Sequence, residues 1–190
     1  MIRTQLALAL STVFLATGLM IQPASASEKS DNPGEFVPVN VGGSVDGFIT
    51  ESDVNGAPIV GNTAGGTNSV PSIPAACHAP ENWTQAAGVE RVYQFTPGTG
   101  ANLTFLLTST DTASYDPFIY ILGTLGNSAD CIIGADDIPA VNAPAVTFSA
   151  FNAGQDYFVY ADSFFGGDAG PFTLTVTGTL PVSLQEFSID

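Results

Sequence analysis

The chain has 190 residues, with three Lys or Arg against eighteen Asp or Glu and a formal net charge of −15, yet only 11% of residues are charged and 45% are hydrophobic. Three dispersed cations cannot make the basic footprint that nucleic acid requires, which excludes that class of partner. Thirteen Phe, five Tyr and one Trp exclude an acidic disordered tail, and 20 Gly with 13 Pro argue against long helices.

The first segment reads as an export signal. Arg3 precedes an almost unbroken apolar run from Leu6 to Ile21, then a helix-breaking Pro23 and the small-x-small site Ala24-Ser25-Ala26. The run is short for a membrane span, and no basic stop-transfer cluster follows it. Residues 1–26 are therefore expected to be a cleaved signal peptide, placing the product in the periplasm or outside the cell. Cleavage removes Arg3 and leaves all eighteen acids. The mature chain is expected to contain no membrane span. Residues 27–40 read as a flexible lead, 41–180 as one domain, and 181–190 as a terminal strand or tail.

Within the domain, 51–76 is rich in Gly, Asn, Ser, Thr and Pro and reads as a long loop, with room for a short strand near Pro58-Ile59-Val60. Its Glu51 to Gly56 stretch has oxygen-bearing residues at alternate positions, but Asn62 stands where an EF-hand needs its bidentate Glu. Asn55-Gly56 reads better as a turn. Beyond the loop, alternation dominates. Tyr93 and Phe95 share one side of a strand, as do Leu103, Phe105 and Leu107, then Val146 and Phe148, then Tyr157 and Val159. Phe172 to Thr177 alternates apolar residues with Thr without a fault. Phe118 to Leu122 is apolar throughout, as a central strand would be. Gly-rich turns separate these segments, and no capped amphipathic helix follows the signal. The expected fold is all-β: an antiparallel β-sandwich, jelly-roll-like.

Two cysteines, Cys77 and Cys131, remain after export. An even count in an oxidising compartment favours a disulfide, which would stabilise by ~4 kcal/mol on the chain-entropy model. A catalytic Cys77–His78 pair is disfavoured, because adjacent residues on an extended chain point opposite ways. One His and two Cys cannot close a zinc site alone. No G-x-S-x-G, H-E-x-x-H or P-loop pattern occurs. The chain is expected not to be an enzyme, its acids serving mainly as solvating and turn-forming groups.

Two ligand chemistries stand out. Calcium takes oxygen ligands from loops, and Asp136, Asp137, Asp162 and Asp168 could converge at one end of a sandwich. Calcium is the one candidate cofactor, and no cofactor is required by the pattern. Aromatic rings stack on sugar faces, and Trp83, Tyr160, Phe164 and Phe165 are the candidates; the competing reading is that Tyr160 and the Phe pair are core or loop anchors.

Val89-Glu90-Arg91-Val92-Tyr93-Gln94-Phe95-Thr96-Pro97 resembles the opening core strand of bacterial pre-peptidase C-terminal (PPC) domains. Tyr115-Asp116-Pro117-Phe118-Ile119-Tyr120 is similar to their central segment, Cys131 with Ala135-Asp136-Asp137 to their Cys and Asp-Asp stretch, and 153–162 with 170–176 to their last two strands. Asp162 is followed by Ser163-Phe164-Phe165, where relatives tend to carry Gly. The resemblance implies a non-catalytic β-sandwich of an exported protein; some relatives in collagenases bind matrix protein or calcium.

Three functions are compatible with these features. The first is a binding or adhesion module for an extracellular polymer, protein or surface. The second is a carbohydrate-binding module using exposed aromatics. The third is an assembly subunit whose terminal strand, Val182 to Ile189, self-associates by strand addition.

Overall fold

The computed structural model describes residues 43–78, 84–111, 114–136 and 143–181. Among these residues, nine strands form two sheets: β1 (Gly47–Phe48), β2 (Ile59–Asn62), β3 (Arg91–Phe95), β4 (Asn102–Thr108), β5 (Pro117–Leu122), β6 (Cys131–Asp136), β7 (Ala145–Phe148), β8 (Tyr157–Ser163) and β9 (Pro171–Thr179). One sheet has the order β1-β3-β8-β5-β6 and the other β2-β9-β4-β7. Among these strands every pairing is antiparallel except that of β1, which pairs in parallel with β3. From β2 onward each strand crosses to the other sheet except at the β5–β6 hairpin. That is the jelly-roll arrangement of two Greek keys, with β1 added at one edge. Among the described residues, no helix is long and apolar enough to cross a membrane.

The alternating strands close the sandwich. Leu103, Phe105 and Leu107 of β4, Val146 of β7, and Phe172, Leu174 and Val176 of β9 face Tyr93 and Phe95 of β3, Ile119 and Ile121 of β5, and Tyr157 and Val159 of β8. Phe95 lies against the rings of Phe105, Phe151 and Tyr157, with centroids 5.2–5.7 Å apart.

A second apolar layer lies on the other face of the five-stranded sheet. Val92, Phe118, Tyr120, Leu122, Phe158 and Tyr160 point away from the sandwich interior and are covered by Val70, Ile73, Cys77, Ala86 and Phe164. This explains why β5 and β8 are buried at every position. The stretch 51–76 contains β2 where the sequence left room for a short strand near Pro58-Ile59-Val60, and residues 63–78 form a strap across the outer face of the sheet.

The strap is held at several points. Thr63 exchanges hydrogen bonds with Gly170, Glu90 N donates to Thr67 O (2.8 Å), and Ile73 N donates to Thr84 O (2.9 Å). The Arg91 guanidinium binds Asp46 at 3.0 Å and donates to the carbonyls of Asn62 and Ala64, where β2 passes into the strap. Cys77 is bonded to Cys131 at the start of β6, as expected from the sequence. Asn55 takes a positive φ of 58°, and its side-chain amide pairs with both backbone groups of Gly178. Asp53 accepts from Thr50. The side-chain oxygens of Asp53 and Asn55 therefore serve a turn, as the Asn-Gly signal implied.

Candidate functional site

Of the acidic residues expected to gather calcium, the three that are described, Asp136, Asp162 and Asp168, do not form a cluster. Asp136 and Asp162 pair with Phe118 from opposite sides, so a strand position separates them. Asp168 is half-buried in the turn before β9, and Asp137 lies outside the described residues. Among the described residues, no three His, Cys, Asp or Glu side chains lie close enough to hold a metal ion.

Asp162 is instead a fully buried part of the strand layer. Its Oδ2 accepts from the Tyr120 hydroxyl at 2.9 Å and its Oδ1 from Ser163 N at 2.6 Å, while its carbonyl accepts from the Tyr115 hydroxyl at 2.8 Å. β3 pairs with β8 from Phe95↔Tyr157 to Arg91↔Ala161. Continuing that register by one residue sets Glu90 beside Asp162. Glu90 is only 1% exposed, and its Oε1 accepts from both the amide and the hydroxyl of Ser69 in the strap. Its Oε2 is buried with no hydrogen-bond partner.

Burial raises the Asp162 carboxyl well above the usual carboxylate range, and the charge of Glu90 adds to the rise. Desolvation also raises Glu90, against the opposing Ser69 hydrogen bonds. An acid whose folded-state pKa is raised contributes stability in full below its unfolded value, about 3.9 for Asp, and loses it as pH rises through the folded value. Asp162→Asn is therefore expected to be near neutral in mildly acid solution and stabilising at alkaline pH. Denaturant unfolding across pH tests this, and an equal loss of stability with pH in both proteins would contradict it.

The aromatic candidates divide. Tyr160 is fully buried, stacked on Tyr120 with centroids 4.7 Å apart, and its hydroxyl accepts from Gly126 N at 2.9 Å. Burial pushes its phenol up to about 12. Phe164 is also fully buried, edge-on to Phe118 and Phe165. Neither ring presents a face to a sugar, because the strap and the 84–88 segment cover them. Phe165 is half-buried, and Trp83 lies outside the described residues. The structure favours the anchor reading for Tyr160 and Phe164. His78 is buried too. Its Nε2 accepts from Asp136 N at 3.0 Å and its ring lies edge-on to Phe118, while the Cys77 sulfur is committed to the disulfide.

Among the described residues, no segment forms a second layer over the outer face of β2-β9-β4-β7 as the strap does over the other sheet. Not one Asp, Glu, Lys or Arg occurs in these four strands, although the chain carries a net charge of −15. Thr173, Thr175 and Thr177 of β9 stand opposite Thr108, Leu106 and Thr104 of β4, and Thr104 in turn stands opposite Thr147 of β7. The Thr104 and Thr147 hydroxyls lie 2.8 Å apart, and Thr108 and Thr173 are also bonded. Val60 of the edge strand is 79% exposed. The strands set these hydroxyl rows about 4.8 Å apart. Sequence alternation pointed to the Thr positions; the cross-strand registration that assembles them into one patch, like the Glu90–Asp162 neighbourhood, was not foreseen.

No family model matches the chain, and no curated protein matches it. Among solved structures it is similar to the pre-peptidase C-terminal domain of a collagenase from Bacillus anthracis, at 11% identity and a TM-score of 0.43, covering 72% of this chain and 98% of that one.

Proposed function

We propose that this chain is a non-catalytic binding module of an exported protein, and that it meets an uncharged extracellular polymer through the outer face of the four-stranded sheet. The carrying observation is the charge-free, threonine-lined surface on a strongly acidic molecule. A neutral polysaccharide suits it. Hydroxyl rows exchange hydrogen bonds with sugar hydroxyls, methyl groups and Leu106 supply apolar contact, and no charge has to be stripped of water. The sequence resemblance to PPC domains supports a binding rather than a catalytic role. The Cys77–Cys131 bond and the signal-like segment fit an oxidising, extracellular setting.

Co-sedimentation of the purified protein with insoluble neutral polysaccharides, such as cellulose and chitin, tests the reading. Binding is expected to be insensitive to salt, because no ion pair contributes. Thr175→Glu places a charge in the middle of the face and is expected to weaken binding at least about tenfold, with thermal stability little changed at this partly exposed site. Equal retention of the wild type and Thr175→Glu, or no retention of either, would remove the face from consideration.

A further inference from the structure

We propose that the strap of residues 63–78 is a proton-controlled cover: one proton held by the Asp162–Glu90 pair keeps it closed over the outer apolar layer, and loss of that proton releases its middle while the Cys77–Cys131 bond retains its far end. This inference is independent of what the open sheet face binds.

Three observations meet at one place. Glu90, just ahead of β3, and Asp162 of β8 lie one step beyond the Arg91↔Ala161 pair, close enough for the Glu90 charge to act on Asp162, and both are buried. Glu90 grips the middle of the strap, through the amide and hydroxyl of Ser69 and the Thr67 carbonyl. The remaining Glu90 oxygen, Oε2, is buried without a donor. The other ionisable groups nearby do not neutralise a second charge. Tyr120 from β5 and Tyr160 from β8 are phenols held in their neutral form by burial, and Tyr115 donates to the Asp162 carbonyl. Asp46, ahead of β1, adds negative charge and takes up Arg91 in an ion pair. Asp116 adds to the negative field at Tyr115, and His78, at the strap's far end, is occupied with Asp136 N. With Asp162 neutral, Glu90 can ionise and hold Ser69 by charge-assisted hydrogen bonds. Ionising Asp162 as well sets two like charges side by side in a poorly solvated layer. The least costly relief is for Glu90 to swing toward water, and Ser69 loses its acceptor.

Hydrogen exchange of the full-length oxidised protein tests this, with each rate corrected for chemical exchange at its pH. Between neutral pH and about pH 9.5, protection of the Ser69 and Ile73 amides is expected to fall at least about tenfold, the equivalent of one pKa unit of coupling. The β4 and β9 amides are expected to keep theirs. Asp162→Asn is expected to hold strap protection constant over the same range, and so is Glu90→Gln, which serves if the first variant does not fold. A wild-type strap with pH-independent protection, or an equal loss in both variants, would overturn the proposal. So would protection restored at alkaline pH by millimolar calcium chloride in the wild type but not in Asp162→Asn, since the pair would then hold a cation rather than a proton.

Discussion

Phe118→Ala is expected to lower the unfolding free energy by about 3–5 kcal/mol, the range for deleting a fully buried aromatic ring. In a sandwich buried only between its sheets, Phe118 would face solvent and its loss would matter little. Here it has no exposed surface and lies among Tyr120, Phe164 and His78, with ring centroids 5.5–6.1 Å away. The neighbours are fixed by the strap and by hydrogen bonds, so the cavity cannot collapse easily. Urea unfolding of the oxidised protein measures the effect. Phe48→Ala is the matched control at a ring that is 67% exposed, and it is expected to stay within about 1 kcal/mol. Equal small losses at both positions would show that the outer layer is not a packed core.

Replacing both Cys77 and Cys131 by Ala is expected to destabilise the fold by about 4 kcal/mol on the chain-entropy account. The crosslink spans a sequence separation of 54 residues and joins the strap to β6, an edge strand of its sheet. Without it, the unfolded chain regains the freedom that the closed loop denied it. The strap then relies on Glu90, Arg91 and its remaining hydrogen bonds to the sheet. Reduced wild-type protein and the double variant are expected to unfold at similar denaturant concentrations. A double variant as stable as the oxidised protein would mean that the crosslink adds nothing to the native state. Combining it with Asp162→Asn separates the two attachments, because the residues they hold lie at different points along the strap.

Part of this architecture is written locally. The alternation in β4 and β9 places Leu103, Phe105, Phe172 and Leu174 on one side, and that side is the sandwich interior. The unbroken apolar run of β5 announces a strand covered twice. Asn55-Gly56 announces its turn through the positive φ that Asn tolerates. In β8 the same reasoning stops short. Tyr157 and Val159 face the interior as alternation implied, but Tyr160 and Phe164 are covered too, because the strap that buries them comes from residues 63–78.

The division follows from the range of the interactions. A period of two separates the faces of a strand, and turn residues end it, so the sequence by itself determined an all-β chain, its inward residues and its paired cysteines. Periodicity carries no information on which distant segment covers an outward face. Only the tertiary structure decided that the low-complexity stretch before Cys77 is a strap, and that Glu90 lies beside Asp162 rather than in water. It alone decided that the threonines of β4, β7 and β9 register into one uncharged surface. Each depends on pairing between residues far apart in the chain, where register and burial, rather than local preference, set what a side chain meets.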